Sequence, residues 1–206
     1  MIRAYCAERL TAERMAPLVL LLTTAAQAGR SMTLIGLGMD ALMASLLSAQ
    51  FRVWDDLADH DRDARLHPNR VLVRMTDPWP AKALCALLGV IAAAVIALRT
   101  SSVLPLVLLI LLNAAVALCY ATRGERSLAS DQLLLARYAA FVLIISTSAG
   151  QARAFTLALS MAAVFLALSI YEGLHDRTSP IARRPVVLTG ESILLIGTLA
   201  VLGGHL

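Results

Sequence analysis

Residues 34–70 read LIGLGMDALMASLLSAQFRVWDDLADHDRDARLHPNR. The first 21 of them, 34–54, hold one acid (Asp40) and one base (Arg52). That is the length of one membrane span, for which about 20 apolar residues suffice. The next nine residues, Asp55 to Asp63, carry five carboxylates. An apolar run that stops against a dense acidic cluster is unlike a soluble amphipathic helix, in which charge and apolar residues alternate around the axis.

The rest of the chain repeats the apolar half of this pattern. Apolar stretches lie at 15–28, 34–54, 82–98, 103–121, 132–149, 154–171 and 186–203. Of 206 residues, 59% are apolar and 16% charged, and mean hydropathy is +0.74. Soluble domains carry roughly 25% charged residues, and disordered chains are poor in apolar ones. The expected fold class is therefore all-α: a polytopic transmembrane helical bundle of about seven spans, with residues 1–206 forming a single domain. Residues 15–28 also look like a signal peptide, with three arginines before them and Ala26-Gln27-Ala28 as a small-x-small site. The second apolar stretch follows within a few residues, which favours a short first span.

Charge gives the expected sidedness. The chain has 18 Lys+Arg against 14 Asp+Glu, for a formal charge of +4. With the seven stretches alternating, 14 basic residues fall at the N-terminus and in the loops after even-numbered spans. Three (Arg30, Arg99, Arg153) fall on the other side, and Arg137 lies inside the fifth stretch. Cytoplasmic loops concentrate Lys and Arg, so the N-terminus is expected in the cytoplasm of a bacterial or archaeal inner membrane. Basic residues in short loops between spans give no reason to expect nucleic acid. Cys6, Cys85 and Cys119 are widely spaced, with no metal or disulfide pattern. His60, His67 and His175 are not spaced as a zinc site.

The acidic cluster carries the chemistry. If the second helix continues past residue 54, then at 100° per residue Asp56, Asp59 and Asp63 share an arc of about 60°. Asp55 sits to one side and Asp61 points nearly opposite. Three carboxylates on one face repel one another unless a cation sits among them. Hard oxygen donors at that spacing suit Mg²⁺, which bridges to phosphate oxygens. The alternative is a solvated helix with Arg62, Arg65 and Arg70 as ion-pair partners. A second acidic pair, Glu172 and Asp176, follows span 6 at i, i+4 spacing. Four spans separate the two sites, and each follows an even-numbered span, so both are expected at one end of the bundle.

Other polar residues have structural readings. Asp40 and Arg137 lie at membrane depth, where charge is expensive and marks a functional site by default; an Asp40–Arg137 pair inside the bundle is the equally weighted structural reading. Asn113 and Glu191 read as interhelical hydrogen bonders. Trp54, Trp79 and Tyr120 fit an interfacial aromatic belt.

At these residues the chain resembles the UbiA superfamily of intramembrane prenyltransferases. That family's first signature is Asn-Asp-x-x-Asp-x-x-x-Asp followed by His-Pro-x-Arg. Here Asp55-Asp56-x-x-Asp59-x-x-x-Asp63 precedes His67-Pro68-Asn69-Arg70, with only the leading Asn changed. The second signature, Asp-x-x-x-Asp with a further acid downstream, is matched by Glu172-x-x-x-Asp176 without that acid. A Tyr and a basic residue follow the family's fourth helix; Tyr120 with Arg123 or Arg126 occupies that region at a different spacing. Family members generally have nine helices, against seven apolar stretches here, and a partner chain, a homo-oligomer or a minimal bundle would complete the prenyl tunnel.

The resemblance implies a UbiA-like fold and Mg²⁺-dependent transfer of a polyprenyl group from its diphosphate to an aromatic or lipid acceptor, in contact with membrane lipid. It implies metal binding by Asp55, Asp56, Asp59, Asp63, Glu172 and Asp176, all but Asp55 also being catalytic. Arg70, Arg123 and Arg126 would bind diphosphate, and Tyr120 and Tyr171 would line the acceptor pocket. Two alternatives remain open: a terpene cyclase of the same superfamily, and a non-catalytic relative that binds lipid or diphosphate.

Overall fold

The structure is a computed structural model that describes residues 1–31, 33–122, 127–150 and 153–204. Among them the chain is 80% helix with no strand. Nine helices follow one another among the described residues: α1 Ile2–Arg9, α2 Ala12–Gln27, α3 Leu34–Ala58, α4 His60–Leu66, α5 Trp79–Arg99, α6 Leu104–Thr122, α7 Leu128–Ser148, α8 Ala154–His175 and α9 Pro185–Gly203.

Six of these, α3 and α5 to α9, are long and apolar enough to cross a membrane. The chain is read here as an integral membrane protein on that basis. The first apolar stretch forms α2, which has only 16 residues. At 1.5 Å per residue it is about 24 Å long, against about 30 Å of hydrocarbon.

Local signals explain several helix ends. Thr33 caps α3, its Oγ1 accepting from the Gly36 N–H at 3.0 Å. Ser127 and Ser130 form a reciprocal capping box at the start of α7, which satisfies two otherwise orphaned groups. Pro80 and Pro185 sit in the first turns of α5 and α9, where a missing N–H costs nothing.

Helix α3 packs against α2, α5 and α7, and α7 in turn against α2, α6 and α8. Contacts from α5 to α6 and from α2 to α8 close a six-helix ring, with α9 applied to the outside of α8. Met43, Leu47 and Phe51 of α3 meet Phe141, Ile144 and Ile145 of α7 in the buried centre. Gln50 Nε2 donates to Asn113 Oδ1 at 2.7 Å, and Gln132 Nε2 to Glu191 Oε1 at 2.8 Å. Asn113 and Glu191 are thus interhelical bonders, as their membrane depth requires.

Charged residues at depth pair differently from expectation. Asp40 lies six residues into α3 and is fully buried among Gln27, Arg30 and Arg99. Arg137 pairs instead with Asp55, at the other end of α3. Asp40 and Asp55 are fifteen residues apart, about 22 Å along the helix. Side chains lean toward their helix's N-terminus, and α7 begins at the Asp55 end, so Arg137 reaches away from Asp40.

Trp79 is 68% exposed, as a belt residue would be. Trp54 instead stacks inward, with its ring centroid 5.7 Å from Phe51 and 6.3 Å from Tyr120.

Candidate functional site

The acidic motif begins where α3 leaves the apolar core. Asp59 ends α3 and precedes α4, with φ −90° and ψ 8°. Across this break the Asp59 N–H still bonds the Asp55 carbonyl, and the Asp63 N–H bonds the Asp59 carbonyl, both at 2.8 Å. The helical turn therefore survives well enough to bring Asp55, Asp56, Asp59 and Asp63 to one cavity of about 640 Å³. Asp61 points away and is fully exposed.

The same cavity receives Glu172 and Asp176 from the end of α8, together with Arg70 and Tyr120. The two acidic segments, more than a hundred residues apart in sequence, thus share one space. Tyr171 does not line it; that ring is 58% exposed and stacks on His175 at 4.0 Å. Arg123 and Arg126 lie outside the described residues.

Several lining residues had no motif to announce them. Arg9 arrives from α1, Arg52 from α3, Arg62 from α4, and Asp131, Arg137 and Tyr138 from α7. Charge inside an apolar stretch was the available signal for Arg137. For Arg9 the sequence offered none, because α1 is short and polar.

The arginines pair with the motif. Arg137 Nη1 and Nη2 donate to the two Asp55 oxygens at 2.5 Å each, and Tyr120 donates its hydroxyl to the same carboxylate. Asp56 accepts from Arg9 Nε at 2.8 Å, from Arg9 Nη2 at 2.5 Å and from the Tyr5 hydroxyl at 2.9 Å. Arg70 Nη1 pairs with Asp63. Burial, then the adjacent Asp56 charge, holds the Tyr5 phenol well above its ordinary range. Burial works against the Arg9 cation, but its bonds to Asp56 outweigh this and raise its pKa. Both donors thus keep their protons, and α1 is strapped to the motif. Glu8 adds a second tie by accepting from the Val71 N–H at 3.0 Å.

This arrangement bears on Mg²⁺. Among the described residues, no three His, Cys, Asp or Glu groups converge closely enough to hold a metal ion. Asp55, Asp56 and Asp63 face guanidinium groups instead of one another's oxygens. As arranged, the motif is not a Mg²⁺ cage. Charge balance points the other way. Among the described residues, seven carboxylates and five guanidiniums line the cavity. A bound diphosphate would face these carboxylates as well as the guanidiniums, and a cation entering with it would offset that repulsion.

The cavity lies over apolar and aromatic side chains. Leu134, Leu135 and Tyr138 form part of its wall. Below them Tyr138 meets Phe141 edge-on at 5.4 Å, and Phe141 meets Phe51 at 5.1 Å. Polar lining over an aromatic floor suits an amphiphile with a charged head. No protein-family model, no curated protein and no solved structure matches the chain.

Proposed function

We propose that the chain is an intramembrane prenyltransferase of UbiA type, which takes a polyprenyl diphosphate and an aromatic or lipid acceptor. The observation that carries this reading is the meeting of two separated acidic segments and five arginines in one cavity at the end of an apolar bundle. In this reading α2 is a short seventh span, and the cavity opens to the cytoplasm, the side on which the basic loops accumulate.

The diphosphate would lie among Arg9, Arg52, Arg62, Arg70 and Arg137, whose planar forks match phosphate oxygens. The allylic C–O bond breaks, and its electron pair leaves with the diphosphate oxygen. Fixed guanidiniums stabilise that developing charge. The Tyr138 and Tyr120 rings face the resulting cation, an attraction that aromatic faces supply. The isoprenoid tail lies against the apolar wall, where water is excluded. The acceptor bonds to the cation and loses a proton to Glu172 or Asp176.

The test is release of diphosphate from a labelled allylic diphosphate by the purified protein with Mg²⁺ present. Turnover is expected for the wild type and none for Asp59→Ala. Arg70→Ala is expected to lower turnover by about 10²–10³-fold, the scale of losing one preorganised charge-stabilising donor. The reading fails if the wild type neither binds nor releases diphosphate under any divalent cation.

A second reading has its own support. Three motif carboxylates are already neutralised by arginine, which suits a relative that binds lipid diphosphate without ionising it. Tight binding with no diphosphate release selects that reading over the enzyme.

A further inference from the structure

At the opposite end of the bundle lies a second recess, of about 730 Å³, between α2, α8 and α9. Leu21, Val164 and Leu199 are among its apolar walls, and Gln27, Arg30 and Arg153 form a polar rim. It shares no residue with the acidic cavity.

Behind the rim is the ionic cluster around Asp40. Gln27 Nε2 donates to Asp40 Oδ2 at 2.5 Å, and Arg30 Nη1 donates to the same oxygen at 3.1 Å. Arg99 pairs with the other oxygen. The two guanidiniums are 9% and 10% exposed. Two buried cations on one carboxylate leave one positive charge over, and Arg153 at the rim adds a second. Among the described residues no other acidic side chain lies at this end to offset them. The fold carries the remaining acids among the described residues to the acidic end, to the motif helices or to the first half of α9. Surplus charge buried at the end of the bundle is costly and calls for a counter-ion.

The shape says what kind. A free anion would need only the rim, whereas this recess continues as an apolar groove. The groove runs beside α9, which gives it Leu195, Leu199 and Leu202. A zwitterionic headgroup would bring its own positive charge to a place already in surplus. We propose that this recess holds one anionic phospholipid, with its phosphate between Arg30 and Arg153 and an acyl chain in the groove between α2 and α9. The site stands apart from the proposed prenyl transfer and does not depend on it.

The test uses the full chain in nanodiscs of equimolar phosphatidylglycerol and phosphatidylcholine, released and weighed by native mass spectrometry. One phosphatidylglycerol per chain is expected to survive release, preferred by about fivefold for each engaged guanidinium. Arg153 is exposed and outside the buried cluster, so Arg153→Gln is expected to fold normally and lose about one such factor. Ala163→Phe fills the recess and is expected to lose the lipid. Equal retention of both lipids overturns the proposal, as does phosphatidylglycerol retention unchanged in both variants. Complete displacement by millimolar inorganic phosphate overturns it in favour of a free anion. A dimer that Ala163→Phe abolishes overturns it in favour of a second copy.

Discussion

Arg137 of α7 grips Asp55 of α3 through both terminal nitrogens, 2.5 Å from each carboxylate oxygen. The guanidinium side chain is 8% exposed and the carboxylate 20%. Removing one partner of a buried pair strands the other charge. Arg137→Gln is therefore expected to cost about 3–5 kcal/mol, and the double variant Asp55→Asn/Arg137→Gln much less. Unfolding in detergent, followed by circular dichroism, measures both. If the double variant is as unstable as the single one, the pair is not the source of the loss.

The strap from α1 makes a prediction about cation loading. Arg9 occupies the Asp56 carboxylate that the resemblance assigns to metal. If Asp56 takes part in cation binding, Arg9→Gln lowers the half-saturating Mg²⁺ concentration. The expected change is about tenfold, a fraction of the several kcal/mol of attraction available at this distance. Calorimetric Mg²⁺ titration without diphosphate measures it, because Arg9 also belongs to the proposed diphosphate cradle. An unchanged midpoint makes Asp56 an anchor for α1 and nothing more.

Tyr5 gives a pH signature. Its pKa in the folded chain lies above the ordinary 10.0, so the folded state holds the phenolic proton more tightly than the unfolded state. The stability this contributes is fully present below pH 10 and is lost as pH rises beyond it. Thermal midpoints taken from pH 8 to 11 should fall more steeply for the wild type than for Tyr5→Phe. Parallel curves would remove Tyr5 from the account.

Gly173 sets the seat of α9. A Cβ there would meet Leu188 and would lie 3.0 Å from Ile181 Cγ2. Gly173 is buried beside the cavity residue Glu172. Gly173→Ala is expected to cost about 1–3 kcal/mol by overpacking and to shift Glu172 with the displaced helix. Thermal stability together with turnover checks this, and a variant as stable as the wild type would show that Leu188 simply moves aside.

What could be read from the sequence follows from which interactions are local. The run 34–54 emerged as Leu34–Ala58 and the run 186–203 as Pro185–Gly203, because burial in lipid acts on every residue of a span. The convergence of Asp56 and Glu172 was also legible, because alternating spans decide which loops share an end. Partner choice was not. Arg9 and Asp56 meet across 47 positions, and Arg137 was assigned to Asp40 because depth along a helix cannot be fixed without its neighbours. Helix α1 went unannounced for a related reason: its order comes from Tyr5 and Arg9 on Asp56, not from its own hydropathy.

The interruption at Asp59 divides the motif between two helices. Asp55 and Asp56 belong to a helix seated in the bundle and are tied down by α7 and α1. Asp63 rides on a seven-residue helix, with Arg70 as its ion-pair partner. A straight helix would fix Asp56 and Asp63 about 10.5 Å apart along its axis. At Asp59 the backbone leaves the α-helix, with φ −90° and ψ 8°, yet the Asp59 and Asp63 N–H groups keep their bonds across the break. The spacing of the motif is then held twice over, by backbone bonds across the break and by Arg137, Arg9 and Arg70 on either side of it.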